Sequence, residues 1–435
     1  MEIRGESYRI LSNGNTFQMR QIFSLCVIVL FSITVYGQSG NRYLRCIGTQ
    51  DSLFSKVLNE GREIYVQLPE SFSKNSKRKY PVVFVLDGAS LLPTVIDAHA
   101  YYSGGFMPEM VLVGISNHKN RTRDLTPSTP ENSQGAPRNV ESGGASRFLD
   151  FIEKELVSYV ERNYPVTNYR TLIGHSYGGL FTIYTMTERK DLFKNYLAID
   201  PSLQWDNQKF LKKAKRSLSG RDYKNKSLYM SLAGPLHMAN LEITIDNVMD
   251  DDTGFTLFPR SNLEFSKKAK SMTQEGFSFE WEFFPNELHG TVAYPSIKNG
   301  LVSLFNWFQM ENIEKINNPK TPVADLRKVI DQRSAKLKAH FGYSVPAYPE
   351  DVLNTLGYMS MDQGMPKKAK MYFERSLAFY PESSNAYDSM SEYYERSGNY
   401  ALAIEYAIKA YGLSGSKYHK DRLRKLEKAL TGNRQ

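Results

Sequence analysis

A serine framed by glycines is the residue of this chain whose neighbours most clearly indicate chemistry. Gly174, Ser176 and Gly178 occupy the three fixed places of the pattern G-x-S-x-G. On a sharp turn from a strand to a helix, such a serine exposes its hydroxyl above a parallel sheet. The backbone N–H of Tyr177 is then free to stabilise an oxyanion. The pattern therefore predicts a nucleophilic serine, and a glycine-rich structural turn is the alternative.

A serine nucleophile needs a base, and the base needs an acid that orients it. Around an elbow of this kind, the three groups follow in the chain order serine, acid, histidine. His289 lies on a loop directly after the last predicted strand, where the base belongs. His237 follows an earlier strand, and we expect it to line the pocket. The sequence therefore predicts His289 as the base.

The acid is less clearly marked than the base. We expect it after the predicted strand that ends at Ala233, but the residues that follow directly include no acid. Asp252 is the favoured candidate, although an acid at the start of the next helix could also be an N-cap. Glu287 and a Ser–His dyad without a strong acid are further possibilities. Other acidic candidates in this segment are Glu242, Asp246, Asp250 and Asp251.

The second oxyanion donor is expected in the loop after the first parallel strand of the core. This position predicts the backbone N–H of Gly88 or Ala89, and we prefer Ala89. The sequence contains no HExxH motif, no cysteine pair and no phosphate-binding glycine loop. It therefore predicts neither a metal nor a cofactor.

The segments around these residues have the pattern of an α/β protein. Apolar, β-branched runs alternate with amphipathic helices, which implies a mostly parallel sheet with helices on both faces. A short buried strand, residues 169–173, precedes the elbow, and a helix over residues 180–186 follows it. The other predicted strands of this kind are residues 82–86, 111–115, 195–199, 227–233 and 277–284.

The pattern changes after about residue 313. A proline-containing linker, residues 317–322, is followed by no strand-like run. Residues 350–383 and 384–417 superpose at a spacing of 34, with small and aromatic residues where a tetratricopeptide repeat packs its helices. We therefore predict an all-α helical-repeat domain with a capping helix over residues 417–430. The repeats could bind a protein partner or pack against the first domain.

The N-terminus has the pattern of a targeting segment. A short basic stretch that begins at Met19 precedes an apolar run over residues 22–35, and small residues precede Gln38. This pattern is typical of a secretory signal peptide, and the run is short for a membrane span, which needs about 20 residues. We predict cleavage before Gln38, with an uncleaved anchor as the alternative. Residues 1–18 could belong to an over-long start.

Length and composition are compatible with an exported globular protein. The 435 residues suggest two or three domains, and 41% hydrophobic and 23% charged residues are ordinary values. The net charge of +9 comes from no block of like charges, so we expect no nucleic-acid partner. After cleavage, we expect a periplasmic or extracellular protein without a stable membrane anchor.

Residues about 50–310 resemble the putative esterase family of α/β-hydrolases, which includes esterase D, siderophore esterases and bacterial feruloyl esterases. The resemblance implies ester hydrolysis with Ser176 as the nucleophile and His289 as the base. It also implies that Arg123 and Asp124 lie near the mouth of the site, where Arg123 either engages a substrate carboxylate or holds its loop. Besides the elbow, the stretches that carry the resemblance are residues 60–62, 80–88, 121–127, 200–205 and 289–290.

The sequence as a whole therefore predicts an exported serine esterase with an α/β-hydrolase fold followed by an all-α helical-repeat domain. Its substrate would be a small-molecule or glycan-linked ester, such as a siderophore, feruloyl or acetyl ester. The alternatives are an acyltransferase with the same triad and a non-catalytic adaptor whose repeats bind a protein. The predicted divisions are a signal peptide (1–37), an esterase domain (38–312), a linker and helix (313–348) and tetratricopeptide-like repeats (349–435).

Overall fold

A mostly parallel β-sheet organises the first part of the chain. The computed structural model describes residues 48–74, 77–103, 105–131 and 140–432. The strands of the sheet are β1 (Thr49–Ser55), β2 (Glu60–Gln67), β3 (Tyr80–Val85), β4 (Val111–Ile115), β5 (Val166–His175), β6 (Asn195–Ile199), β7 (Ser227–Ala233) and β8 (Ser278–Phe284). Their order across the sheet is β1-β2-β4-β3-β5-β6-β7-β8. The hairpin β1–β2 joins β4 antiparallel, and every pair from β4 to β8 is parallel.

Helices cover both faces of this sheet. They are α1 (Gly88–Tyr102), α2 (Arg121–Leu125), α3 (Ala145–Phe151), α4 (Val157–Asn163), α5 (Tyr177–Glu188), α6 (Trp205–Gly220), α7 (Leu257–Ser271) and α8 (Ala293–Phe305). A turn of π-helix, Ile152–Leu156, joins α3 to α4. Buried side chains of α1 and α8 pack on one face, and those of α3 to α7 pack on the other. This arrangement confirms the predicted α/β-hydrolase fold.

Strand β3 shows how the sequence builds the two layers. All of its residues, Tyr80–Val85, are buried. Val82 and Phe84 contribute to the core on one face, whereas Val83 and Val85 contribute to the core on the other. Successive side chains of a strand point to opposite faces, so a central parallel strand needs an unbroken apolar run. Each such side chain stabilises the fold by about 1.5–3 kcal/mol through burial.

The rest of the described chain is helical, as predicted. Its helices are α9 (Ile313–Asn317), α10 (Val323–Phe341), α11 (Glu350–Asp362), α12 (Pro366–Phe379), α13 (Ser384–Arg396), α14 (Tyr400–Ser414) and α15 (Lys417–Gly432). Helix α13 begins 34 residues after α11, and helix α14 begins 34 residues after α12. The assignment of these pairs as tetratricopeptide-like repeats stays a prediction.

Helix α10 packs against the sheet and against the helical pairs that follow it. Leu337 and Phe341 lie in the apolar core on the α1 and α8 face of the sheet. Leu326 and Ile330 lie in a second core that includes Met371 of α12. The described residues belong to one compact unit, Gly48–Gln435, and the predicted divisions 38–312, 313–348 and 349–435 stay predictions. The predicted signal peptide, residues 1–37, lies outside the described residues.

The described residues include neither a candidate membrane span nor a candidate metal site. No helix within these ranges has both the length and the apolar character that a membrane span requires. Within the same ranges, no group of three or more His, Cys, Asp and Glu residues could hold a metal ion.

Candidate active site

The serine elbow lies at the carboxyl end of β5, in the middle of the sheet. Ser176 follows the last residue of β5, caps α5 and has φ 60° and ψ −115°, a backbone conformation that non-glycine residues rarely adopt. A Cβ on Gly174 would lie 2.3 Å from the carbonyl oxygen of Gly178, and one on Gly179 would lie 2.9 Å from that of Ile199. The turn is therefore possible only because small residues surround the serine.

Three side chains from separate loops form a hydrogen-bonded chain at this elbow. Ser176 Oγ lies 2.9 Å from His289 Nε2. His289 Nδ1 lies 2.6 Å from Asp200 Oδ2. Ser176 follows β5, Asp200 follows β6, and His289 lies between β8 and α8. The carboxyl ends of parallel strands meet at one edge of a sheet, which explains why these distant residues come together.

Asp200 is held firmly in its position. Its side chain is only 1% exposed. Its Oδ1 accepts a hydrogen bond of 3.1 Å from the backbone N–H of Ala233, and its own N–H donates to the carbonyl oxygen of Ser231 at 3.1 Å. With φ 41°, Asp200 also has a left-handed backbone conformation. These bonds compensate for the burial of the carboxylate and aim it at the imidazole of His289.

Asp252 does not occupy the position predicted for it. It is exposed, in the segment between β7 and α7, and Asp200 is the carboxylate against His289 Nδ1. The carboxylate that contacts His289 thus follows β6, one strand earlier than the acid that the sequence analysis favoured. The signal that could have identified it is the aspartate directly after the strand next to the elbow, which keeps the chain order serine, acid, histidine. Glu287, another candidate, instead accepts a hydrogen bond from the Thr291 hydroxyl at 2.6 Å.

The two predicted oxyanion donors lie in the first turns of two helices on opposite faces of the sheet. Tyr177 is the first residue of α5, and Ala89 is the second residue of α1. N–H groups in a first helical turn have no partner within the helix. Strands β3 and β5, which lead into these helices, are adjacent, and Leu86 donates to the carbonyl oxygen of Ile173 at 2.9 Å. Both helices therefore direct positive N-terminal ends toward the same edge of the sheet.

Arg123 is occupied by an ion-pair network. Its guanidinium contacts Glu60 Oε1 at 2.6 Å and Asp124 Oδ1 at 2.8 Å, and Arg62 donates to Asp124 Oδ2 at 2.6 Å. Although burial opposes this effect, the hydrogen bonds with Glu60 and Asp124 raise the pKa of Arg123. Of the two predicted possibilities, the structure favours the one in which Arg123 holds its loop. A role of Arg123 in substrate binding stays a prediction.

Arg121 is the arginine that lies at the elbow, and the sequence analysis did not identify it. Its Nε and Nη2 donate to the two carboxylate oxygens of Asp87, each at 2.9 Å. Its Nη2 also donates to the carbonyl oxygen of His175 at 3.1 Å, and its guanidinium lies 5.4 Å from the ring centroid of Tyr177. Arg121 thereby connects the loop that begins α1 with the loop that begins α5.

Phenylalanine rings lie beside two histidines of this region, His289 and His237. The ring of Phe258 meets that of His289 edge-on, with the centroids 5.5 Å apart. His237, which the sequence analysis assigned to the pocket lining, is buried and lies 5.0 Å from the ring of Phe255. Its Nδ1 accepts backbone hydrogen bonds from the two residues at positions 239 and 240. His237 therefore stabilises its own loop, and a role in the pocket stays a prediction.

Comparison with known proteins places this chain in a family. The family described as "Putative esterase" matches residues 55–288. The ferri-bacillibactin esterase BesA of Bacillus subtilis is 31% identical over 263 residues, which cover 56% of this chain and 85% of the relative. An IroE-like serine hydrolase from Shewanella oneidensis has 28% identity and a TM-score of 0.61, and the likeness covers 76% of this chain and 99% of that structure.

A further solved structure covers a larger share of the chain. The uncharacterised protein from Capnocytophaga ochracea superposes with a TM-score of 0.54 and 20% identity, over 87% of this chain and 99% of its own. At this identity the likeness concerns the fold alone. Since the family matches more than half of the chain, the chain belongs to the putative esterase family of α/β-hydrolases. It is a serine-type carboxylic ester hydrolase.

Proposed function

We propose that Ser176, His289 and Asp200 form the catalytic triad of this ester hydrolase. The observation that carries the proposal is the continuous hydrogen-bonded chain from Ser176 Oγ through His289 to Asp200. Ser176 attacks the ester carbonyl carbon while His289 Nε2 accepts the hydroxyl proton. Asp200 accepts a hydrogen bond from Nδ1–H, which selects the reactive tautomer and stabilises the imidazolium that forms.

The same proposal assigns the oxyanion to two backbone amides. The N–H groups of Tyr177 and Ala89 would donate to the negative oxygen of the tetrahedral intermediate. Collapse of this intermediate expels the alcohol, which takes the proton from His289 and leaves an acyl group on Ser176. Water activated by His289 then attacks the acyl-enzyme and releases the carboxylic acid. In an acyltransferase, an alcohol would replace water in this last step.

The proposed substrate is a siderophore ester. This choice rests on the relative from Bacillus subtilis, a ferri-bacillibactin esterase whose length this chain covers to 85%. Feruloyl and acetyl esters remain within the same chemistry.

We further propose that residues 1–37 are a signal peptide and that the exported protein begins at Gln38. N-terminal sequencing of the secreted protein would test the cleavage site.

The central experiment compares wild type with Ser176→Ala and His289→Ala. Ferri-bacillibactin and p-nitrophenyl acetate serve as substrates, and the acid product is identified with and without added glycerol. We expect each variant to lose about 10⁴-fold or more in kcat, because the nucleophile and the base act as a unit. A fluorophosphonate should label Ser176 in wild type and leave Ser176→Ala unlabelled.

Ser271→Ala is the matched control, because Ser271 is an exposed serine at the end of α7. It should have the activity and labelling of wild type. Wild-type activity in Ser176→Ala would refute the proposed nucleophile. Hydrolysis of p-nitrophenyl acetate without hydrolysis of ferri-bacillibactin would retain the triad and reject the siderophore substrate. Formation of a glyceryl ester would favour transfer over hydrolysis.

A further inference from the structure

We infer that His175, the residue directly before the nucleophile, is a positioning residue. Its side chain holds the proposed base, His289, by a hydrogen bond to the main-chain carbonyl oxygen of His289. The inference rests on the proposed roles of Ser176 and His289. In the pattern G-x-S-x-G the residue before the serine is a variable position, so the motif itself assigns His175 no role.

The main observation behind this inference is a hydrogen bond between the elbow and the loop that contains His289. His175 Nε2 lies 2.8 Å from the carbonyl oxygen of His289. A carbonyl oxygen only accepts, so Nε2 carries the proton and His175 is the donor. The two imidazole rings also pack together, with centroids 4.7 Å apart and planes inclined by 39°. The nucleophile and the base are thus connected through a second bond besides the one between their own side chains.

This bond matters because packing alone does not immobilise His289. Its side chain is 49% exposed and lies in the loop between β8 and α8. Asp200 restrains the ring at Nδ1, but the ring can reach Ser176 only if the backbone that carries it also stays in place. The hydrogen bond from His175 anchors that backbone at the residue itself. Because His175 is bonded in sequence to Ser176, the anchor moves with the nucleophile.

The charge state of His175 fits this role. Burial, followed by the nearby His289, lowers the pKa of His175 to about 4. His175 is therefore neutral near pH 7, with one donor nitrogen for the carbonyl of His289. A neutral neighbour also suits a base that becomes an imidazolium during turnover, since a second cation at this distance would oppose that charge. Of the other charged groups near His175, Asp200 favours its protonation and Arg121 opposes it.

A pair of variants with similar side-chain length tests the hydrogen bond. His175→Gln places an amide N–H near the position of Nε2, whereas His175→Met has nearly the same shape and no donor. We expect kcat for p-nitrophenyl acetate to fall about 10- to 100-fold in His175→Met, the scale of a base displaced by part of an ångström. His175→Gln should recover most of this loss. KM should change little in either variant, because the substrate does not contact His175 in the proposed mechanism.

Thermal unfolding of both variants separates positioning from folding. Equal melting temperatures with a slow Met variant and a fast Gln variant would support the inference. Wild-type kcat in His175→Met, or equally slow Met and Gln variants that are both folded, would overturn it. If the Met variant does not fold, His175→Phe replaces it, because phenylalanine keeps the ring without a donor and the same comparison with Gln applies.

The Ser176→Ala variant distinguishes this inference from the proposed function. If Ser176→Ala keeps full activity, the proposed function fails, and the inference that rests on it fails with it. If Ser176→Ala is inactive and His175→Met is as fast as wild type, only the positioning role fails.

Discussion

Asp200 determines the electrostatic environment of the proposed base. Its carboxylate is buried, and it accepts one hydrogen bond from a main-chain N–H and lies 2.6 Å from His289 Nδ1. Burial of a carboxylate without hydrogen-bond partners would be strongly unfavourable, and these two contacts supply partners for both of its oxygens. The same carboxylate stabilises His289 most when both ring nitrogens carry a proton. This imidazolium is the state formed during the attack of Ser176.

Replacement of this carboxylate provides a direct prediction. We expect Asp200→Asn to lower kcat about 10²- to 10⁴-fold, because an amide can hold His289 in the wrong tautomer while it keeps the shape of the side chain. Steady-state ester hydrolysis measures the change. Asp252→Asn is the matched control, since Asp252 is exposed, and its kcat should equal that of wild type. A slow Asp252→Asn beside an active Asp200→Asn would contradict the proposed triad.

The strand–elbow–helix element converts a local sequence pattern into an exposed nucleophile. β5 ends at His175, Ser176 takes a strained conformation and α5 begins at Tyr177. The turn closes so tightly that the backbone of Gly178 leaves no room for a side chain at position 174. The strain at Ser176 is therefore maintained by packing of the strand and the helix that flank it.

A glycine substitution tests this element. A Cβ at position 174 would meet the carbonyl oxygen of Gly178 at 2.3 Å, so Gly174→Ala must displace the elbow. We expect the free energy of unfolding to fall by about 1–3 kcal/mol or more, and we expect kcat to fall as well. Gly220→Ala is the control, because nothing lies within 4 Å of a Cβ there. Chemical denaturation and ester hydrolysis of both variants check the prediction, and a Gly174→Ala variant as stable and active as Gly220→Ala would contradict it.

In the whole molecule, α10 connects the sheet with the helical pairs. The ring of Phe341 packs against Tyr169 of β5 with centroids 5.0 Å apart, and against Trp307 at 5.1 Å. Tyr169 belongs to the strand that carries the elbow. The contact lies in the first half of that strand, away from its carboxyl end, so α10 supports the sheet without contributing a side chain to the candidate site.

Truncation of Phe341 measures how much this contact stabilises the protein. Phe341 is 6% exposed, and a phenylalanine-to-alanine change in a core typically costs about 3–5 kcal/mol. We therefore expect Phe341→Ala to lower the melting temperature markedly, while kcat of the folded enzyme stays near that of wild type. Ile408→Ala is the control, because Ile408 is 52% exposed in α14. Equal melting temperatures of the two variants would show that the contact of Phe341 with the sheet adds no measurable stability.

Local patterns along the sequence were sufficient to predict much of this protein. The central strands could be located because a strand buried on both faces must be an unbroken apolar run, as in residues 80–85. The elbow could be located because its backbone geometry demands glycines at fixed spacing from Ser176. His289 could be proposed because it lies in the loop after the last strand. The helical pairs could be proposed because their period of 34 recurs in the sequence.

Tertiary structure alone decided which charged groups meet. Asp200 and Asp252 are both acids that follow the elbow in the chain, and only the order of the strands brings Asp200 to His289. In the same way, Arg121 and Arg123 are two residues apart, yet Arg121 donates to the carbonyl oxygen of His175 at the elbow and Arg123 donates to Glu60. The positions of charged residues in the sequence follow no periodicity that would identify their ion-pair partners. Its role depends on distances of a few ångströms between residues far apart in the chain, and these distances are set only when the sheet assembles.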